Sequence, residues 1–290
     1  MPTPFMAVPR SICPDAGEPC SRRHGRHCPN VSGLVRGQWG AIHYRQEVTQ
    51  IEVSNGRASA VQTRKGLRFT GDVVLANLTP WALASLLGES TPLKLQRTVP
   101  RLAPTWGAFM GYVGLDVAKF QARFGGLATH HQIVLDPSKP LGEGNSVFLS
   151  LTEGEEEGRA PAGQLPATLS THTAVAPWWA AHQQGPTAYA ERKADYLERL
   201  LHAAEQALPG LRECITFQTA GSPISFQRFT RRPQGMVGGF PQTSIWQARG
   251  PQTGLENLLL VGDSIFPGQS TAGVTLGAMR VVEEVRGRGL

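Results

Sequence analysis

The stretch Leu258–Val285, LLLVGDSIFPGQSTAGVTLGAMRVVEEV, constrains the fold more than any other part of this chain. Leu258 to Val261 have the length and composition of a buried strand, although periodicity alone does not separate that from a segment of buried helix. Gly262 ends the run. The following loop, Asp263 to Ala272, contains Pro267, Gly268 and two serines. After it Val274, Gly277, Ala278, Val281, Val282 and Val285 recur at helical spacing on one face. The expected unit is strand, tight loop, helix.

Such a unit suits a bound cofactor. A helix start presents unpaired N–H groups and partial positive charge, which stabilise a phosphate or a reduced flavin ring; here those groups belong to Ala272, Gly273 and Val274. Asp263 stands at the strand's end, and its carboxylate, an acceptor only, matches the hydroxyls of a ribityl or ribose chain. Gly262 allows close backbone approach to a ligand, and Gly277 with Ala278 lets the helix lie near a sheet. The plainer alternative is the ordinary strand-loop-helix end of an α/β domain, and spacing alone leaves both open.

The run VGDSIFPGQSTAGVTLGAMR resembles the C-terminal flavin-binding segment of the phytoene desaturase and carotenoid isomerase family, within the wider amine-oxidase-like FAD proteins. Upstream, AIHYRQEVTQIEVSNGRASAVQTRKG and VVLANLTPWALASLLG follow in that family's order, so the likeness extends from about Trp39 to the C-terminus. It implies an α/β fold with an α+β insertion: an incomplete FAD-binding domain of the glutathione-reductase/amine-oxidase type around a β-rich substrate domain. The expected division is residues 39–95 with 235–290 for FAD, and 96–234 for substrate. It also implies FAD as cofactor, with contacts from Val48 at the adenine and from Gly262, Asp263, Pro267, Gly268, Ala272, Gly273 and Val274 at the flavin. Read without the family, Val48 is as readily a core residue.

Composition narrows the partners. The net charge of +6 raises nucleic acid or anionic lipid as ligands. Residues 1–40 hold five arginines against Asp15 and Glu18, and no basic stripe interleaved with aromatics follows, so nucleic acid is not expected. Three of the four cysteines fall in the first 28 residues, which is no secreted disulfide framework in a chain of 290 and points to a reducing, cytoplasmic compartment. Cys13, Cys20, His24, His27 and Cys28 fit none of the usual zinc spacings, and no metal is expected. No apolar run is long enough to span a bilayer, which leaves peripheral contact open. Residues 1–38 show neither helical nor strand period and read as irregular, non-native to the family.

Along the rest of the chain, Ala41 to Asn77 reads as a meander: a strand with Val48, Ile51 and Val53, a turn at Asn55-Gly56, a return to Lys65-Gly66, and a third strand, Val73–Ala76, covered on both faces. Thr79 caps a short helix with Pro80 in its first turn. Thr105–Asp116, His131–Leu135, Ser146–Leu151 and Thr168–Thr173 read as strands, and Glu153, Glu155, Glu156 and Glu157 as a solvated loop. His172 is expected as a satisfied core or pocket histidine rather than a catalyst. Pro177–Leu208 is the longest helical stretch; Trp178 and Trp179 ahead of it mark either a membrane-facing edge or core packing. The glycine pair Gly238-Gly239 is expected to bring backbone against a ring.

No G-x-S-x-G, H-E-x-x-H, P-loop or paired C-x-x-C is present, and neither is the G-x-G-x-x-G turn with which the resembling family receives the FAD pyrophosphate. The resemblance implies dehydrogenation of a carotenoid or similar polyene, with an electron acceptor as further partner. WGAFMGYVGLD, GEGNSVFLSLTE and STHT are most similar to carotenoid 3,4-desaturases. The open alternatives are a carotenoid isomerase or amine oxidase of the same superfamily, and a non-catalytic lipid or prenyl escort. No catalytic side chain is assigned, because in such proteins the cofactor performs the chemistry.

Overall fold

The computed structural model describes residues 33, 35, 37, 40–99, 106–125, 128–152, 160–241, 246 and 248–288. The irregular N-terminal reading, the five Cys and His residues weighed for zinc, and the acidic run from Glu153 lie outside them. The chain divides into two compact units, one formed by Met1–Ala103 with Gly238–Leu290 and the other by Pro104–Val237.

In the first unit, β1 (Val48–Ser54) and β2 (Arg57–Thr63) pair antiparallel across Asn55-Gly56, whose φ values of 49° and 75° are those a two-residue hairpin with the strands' twist requires. β3 (Arg68–Phe69) pairs with β2 and completes the meander, which corrects the expectation for its third strand. Thr63 turns the chain back at once by donating its N–H to the Leu67 carbonyl at 2.9 Å. The apolar run beyond, β4 (Val74–Ala76), leaves the meander and pairs in parallel with β10 (Leu258–Leu260). Asn257 holds these pieces in place. Its side chain accepts from Ala58 N–H (2.7 Å) and donates to the carbonyls of Ala58 and Asp72 (both 2.9 Å).

Thr79 Oγ1 accepts the Ala82 N–H and starts α1 (Pro80–Leu87), which ends at Gly88; α2 (Leu93–Thr98) follows. The core of this unit joins Ile51, Leu83, Leu87, Leu95 and Val281 to the three leucines of β10, each no more than 1% exposed. Burial on that scale contributes up to about 1.5–3 kcal/mol per leucine, enough to make β10 the unit's axis. Leu75 of β4 departs from expectation: it is 49% exposed, so β4 is covered on one face only.

The second unit is a five-stranded antiparallel sheet in the order β6-β7-β8-β5-β9, formed by β5 (Trp106–Asp116), β6 (His130–Val134), β7 (Ser146–Leu151), β8 (Gln164–Ala174) and β9 (Ile215–Gly221). Alternation sends Phe109, Val113 and Leu115 of β5, Leu149 of β7 and Leu169 of β8 to one face. There they meet Tyr196, Leu200, Leu201 and Ala204 of α5 (Pro186–Ala207). Gly111 permits the approach, since a Cβ there would lie 3.0 Å from Leu197 Cδ1. Shorter helices surround this layer: α3 (Val117–Phe124), α4 (Ala176–Gln184) and α6 (Pro223–Thr230).

The expected single helix over Pro177–Leu208 is two helices, α4 and α5. Gly185 adopts φ 126° and Pro186 brings no N–H, so the hydrogen-bond ladder is interrupted although the apolar stripe runs on. Trp178 is fully buried, stacked on Phe109 at 5.2 Å and donating to Thr173 Oγ1 at 3.0 Å, so it belongs to the core and not to a membrane-facing edge. His172, in turn, is exposed and no core residue.

Candidate functional site

The turn between β10 and α7 (Thr271–Gly287) is built from its own residues upward. Gly262 has φ 103°, and a Cβ there would collide with the Asn77 side chain. Asp263 follows, half-buried; Ser264 and Ile265 turn fully inward. The Phe266-Pro267 bond is cis, and Phe266 is 45% exposed under the guanidinium of Arg280. Gly268, with φ 87°, is buried and sets its carbonyl against Gly273, where any side chain would strike it.

Ser270 is the N-cap of α7. Its Oγ accepts the Gly273 N–H at 2.9 Å and its carbonyl accepts that of Val274 at 2.8 Å. Two of the three N–H groups expected to face a ligand are therefore engaged within the helix start. Among the described residues the donors left open are those of Thr271 and Ala272, both on exposed residues. The structure moves the expected anion-facing position one residue toward the N-terminus.

A second segment backs this turn. A Cβ on Gly239 would collide with the Asp263 carbonyl, and Phe240 N–H donates to Ser264 Oγ at 3.2 Å. Gly239 thus brings backbone against backbone, and a Cβ on Gly238 would lie 3.0 Å from the Gln269 side chain. Phe240 lies between Trp81 (4.7 Å between centroids) and the guanidinium of Arg249 (4.8 Å), and Phe266 N–H donates to the Arg249 carbonyl at 2.8 Å. Arg249 is only 9% exposed, and its burial pushes the guanidinium pKa down. Neither Asn77, Ser270 nor Arg249 carries a local sequence signal of these roles, apart from the serine's position just ahead of the helical period.

Gly262 through Val274 belong to one turn and the helix start that follows it, while Val48 belongs to β1. Val48 is 37% exposed and pairs with Thr63, which overturns its reading as a core residue and leaves it at the outer edge of the meander.

In the second unit, the sheet face opposite α5 carries Trp106 (49% exposed), Met110, Tyr112, Phe148 and Phe217, set side by side by the registers Tyr112↔Thr168↔Ser150 and Met110↔Ser170↔Phe148. His130 of β6 stacks on Phe148 and reaches Ser150 Oγ at 3.0 Å; His131 points the other way, to the Ala128 carbonyl at 2.7 Å. Partial burial pushes the Tyr112 phenol up. Behind the sheet a polar knot anchors the loop before β7. Glu143 accepts from Thr173 Oγ1 (3.0 Å), from the Ala174 N–H (2.7 Å) and from Tyr196 OH, whose pKa is raised by burial and then by this carboxylate. Every partner there is internal, so the knot is structural. Among the described residues no group of three His, Cys, Asp or Glu is arranged to hold a metal ion, and no helix is long and apolar enough to cross a membrane.

Comparison with known proteins gives the turn its context. No family model matches the chain. It is 28% identical to a prolycopene isomerase of Arabidopsis thaliana over 264 residues, covering 88% of this chain and 43% of that protein. To a prolycopene isomerase of Daucus carota it is 26% identical over 267 residues, covering 88% and 42%. Both relatives are named as chloroplastic. In structure it is similar to an oxidoreductase from Methanosarcina mazei (TM-score 0.59, 20% identity, 87% of this chain and 52% of that one). It is also similar to a triple mutant of putrescine oxidase (TM-score 0.56, 12% identity, 89% and 52%). The chain thus spans less than half the length of the curated relatives and about half that of the solved structures. Over that span it resembles the prolycopene isomerases in sequence and shares its fold with part of these oxidoreductases.

Proposed function

We propose that this chain provides the flavin-facing turn and the substrate-facing sheet of an FAD-dependent oxidoreductase acting on a carotenoid-like polyene. The observation that carries the reading is the turn Gly262–Ala272, where a half-buried carboxylate at a strand end and two open N–H groups at the start of a 17-residue helix occur within one loop. That donor set fits a flavin. Asp263 would accept from ribityl hydroxyls, and the Thr271 and Ala272 N–H groups would hold negative charge on the ring. Val48, at the edge of β1, is the proposed neighbour of the adenine. When bound, FAD supplies two-electron chemistry that no side chain here offers. Among the described residues nothing forms the glycine-rich cradle that a pyrophosphate requires.

The aromatic and thioether face of the second unit's sheet suits an apolar, conjugated substrate better than a small cationic amine, since it presents rings, a Met and hydroxyls but no carboxylate among its named residues. Dehydrogenation of the polyene, with its electrons leaving to an acceptor, is the first reading. Isomerisation without net redox change is the second, favoured by the names of the curated relatives. Consumption of an electron acceptor in step with product separates them. A lipid escort would leave the purified protein colourless at every FAD concentration.

The test of the flavin reading is a titration of the chain with FAD followed by fluorescence quenching. Binding is expected to be weak, because the pyrophosphate goes without its cradle. Asp263→Ala should weaken it further, by about 1.5–3 kcal/mol, the cost of losing hydrogen bonds to a charged acceptor. Equal affinity of both forms would remove Asp263 from the site.

A further inference from the structure

β8 lies at the centre of the second unit's sheet, between β7 and β5, and the end of it is fixed residue by residue. Thr171 Oγ1 accepts from the Gly144 N–H at 3.0 Å and donates to the Ser146 carbonyl at 2.8 Å. The His172 carbonyl accepts from the Glu143 N–H at 2.7 Å. Thr173 Oγ1 donates to the Glu143 carboxylate at 3.0 Å and accepts from Trp178 Nε1 at 3.0 Å, and the Ala174 N–H donates to the same carboxylate at 2.7 Å. Along the other side these four residues pair in register with Phe109, Ala108, Gly107 and Trp106 of β5. The backbone around His172 is therefore held from both flanks, and both threonine hydroxyls are used in holding it.

The imidazole is the part left unused. Alternation along β8 turns it to the face opposite α5, where it is exposed. Its immediate neighbours on that face are small: Ala108 is its cross-strand partner, and Ser170 and Ala174 stand two residues to either side. Larger groups stand one step further out, with Trp106 and Met110 diagonal to it on β5 and Phe148 opposite Ser170 on β7. The ring thus rises from a floor of small residues inside a surround of aromatic and thioether groups. Among the described residues no hydrogen bond or ring contact engages it. The other histidines differ. His130 and His131 are hydrogen-bonded, His43 packs on Phe69, and His182 packs on Trp179 and Tyr189, while His202 is an exposed residue of α5. An imidazole with a fixed backbone and two unspent ring nitrogens is prepared to exchange a proton with a ligand.

We propose that, within the dehydrogenation reading on which this rests, His172 is the base that takes a proton from the polyene bound on this face. Converting CH2–CH2 into CH=CH breaks two C–H bonds. One hydrogen leaves with its electron pair to the oxidised cofactor; the other leaves as a proton to the imidazole, and the pair from its C–H bond becomes the second bond between the carbons. Departure of the hydride makes the neighbouring C–H acidic, so a base of moderate strength suffices. The imidazolium then returns its proton to solvent, which reaches the exposed ring. The hydroxyls nearby, on Ser170 and Thr168, are no bases at neutral pH, and His130 at the sheet's edge has Nδ1 engaged by Ser150.

The experiment uses the full chain with FAD and a quinone acceptor in excess, and lycopene in detergent micelles, because its conjugated run is flanked by saturated CH2–CH2 bonds. The red shift of the product's absorbance gives the rate. His172→Ala should lower kcat by about 100-fold or more with KM little changed, and added imidazole should restore part of the rate, which a structural role would not allow. His202→Ala should leave the rate unchanged. Circular dichroism shows that both variants fold, since both positions are exposed. A second measurement needs no turnover. Diethyl pyrocarbonate should label His172 in the chain with empty micelles and fail to label it with lycopene present, while His202 is labelled in both. An unchanged kcat in His172→Ala, a loss that imidazole does not restore, or equal labelling of His172 with and without lycopene overturns the base and leaves the dehydrogenation reading standing wherever lycopene is converted. No conversion by the unsubstituted chain removes that reading and the base with it.

Discussion

Asn257 shows how much one side chain organises. It is 2% exposed, and its amide closes three hydrogen bonds to backbone groups of β2 and of the approach to β4. Asn257→Ala leaves a buried N–H and two carbonyls unsatisfied, so the first unit should lose roughly 2–4 kcal/mol, and the Ala58 amide should exchange with solvent in step. Unchanged protection of that amide would show the bonds to be dispensable. Glu52 gives a residue-scale expectation of another kind. Hydrogen bonds from Arg68 and then Gln62 hold its carboxyl down at about 2 from 4.5. A depressed carboxylate contributes stability above its unfolded value and loses it as pH falls through the folded one. The clasp across β1, β2 and β3 should therefore persist at pH 5 and weaken between 4.5 and 2. An NMR titration of the Glu52 carboxyl with a midpoint near 4.5 would remove the clasp. Neither role was legible beforehand: an Asn ahead of an apolar run reads as a turn residue, and its partners are distant in the chain.

At the scale of elements, a feature is legible where its chemistry is local. The turn at Asn55-Gly56, the cap at Thr79 and the strand-loop-helix of Leu258–Val285 each carry their chemistry within a few residues, and the structure has all three. The pairing of β4 is not legible locally, because an apolar run says that a strand is buried and not which strand it meets; its partner β10 lies near the other end of the chain. The break at Gly185-Pro186 has a local signal in that dipeptide, but the apolar stripe runs past it and by itself spells one continuous helix. The start of α7 yields the prediction at this scale. Ser270→Ala removes one cap bond and should cost about 1 kcal/mol. Gly273→Ala should cost more, because its Cβ would drive into the Gly268 carbonyl and displace the loop. Thermal melts of both variants without any flavin decide the order. If Gly273→Ala melts no lower than Ser270→Ala, the loop has room and Gly273 serves a ligand instead.

The whole molecule combines two units of different self-sufficiency. The first is assembled from both ends of the chain, and among the described residues its parallel pair is open at one edge, with apolar side chains exposed on β4 and α7. The second is one continuous segment. Its sheet and helices share a single core that joins Phe109, Leu149, Leu169, Trp178, Tyr196 and Leu200, and its loop before β7 is tied down by Glu143 from within. The described residues of that core all fall within Pro104–Val237, and a segment of this length exceeds what one hydrophobic core needs to fold alone. Pro104–Val237, expressed by itself, should therefore be monomeric and unfold in one cooperative transition in urea, followed by the fluorescence of buried Trp178. Trp178→Phe would remove the buried part of that signal and leave Trp106 and Trp179, and Tyr196→Phe, which removes a hydroxyl bonded to Glu143, should lower the midpoint without changing the slope. The two ends joined without this segment should instead aggregate, since their unpaired edge and apolar stripes remain exposed. If Pro104–Val237 proves unfolded while the full chain is folded, the second unit depends on the first, and the division of this molecule into an autonomous sheet and an unfinished one is wrong.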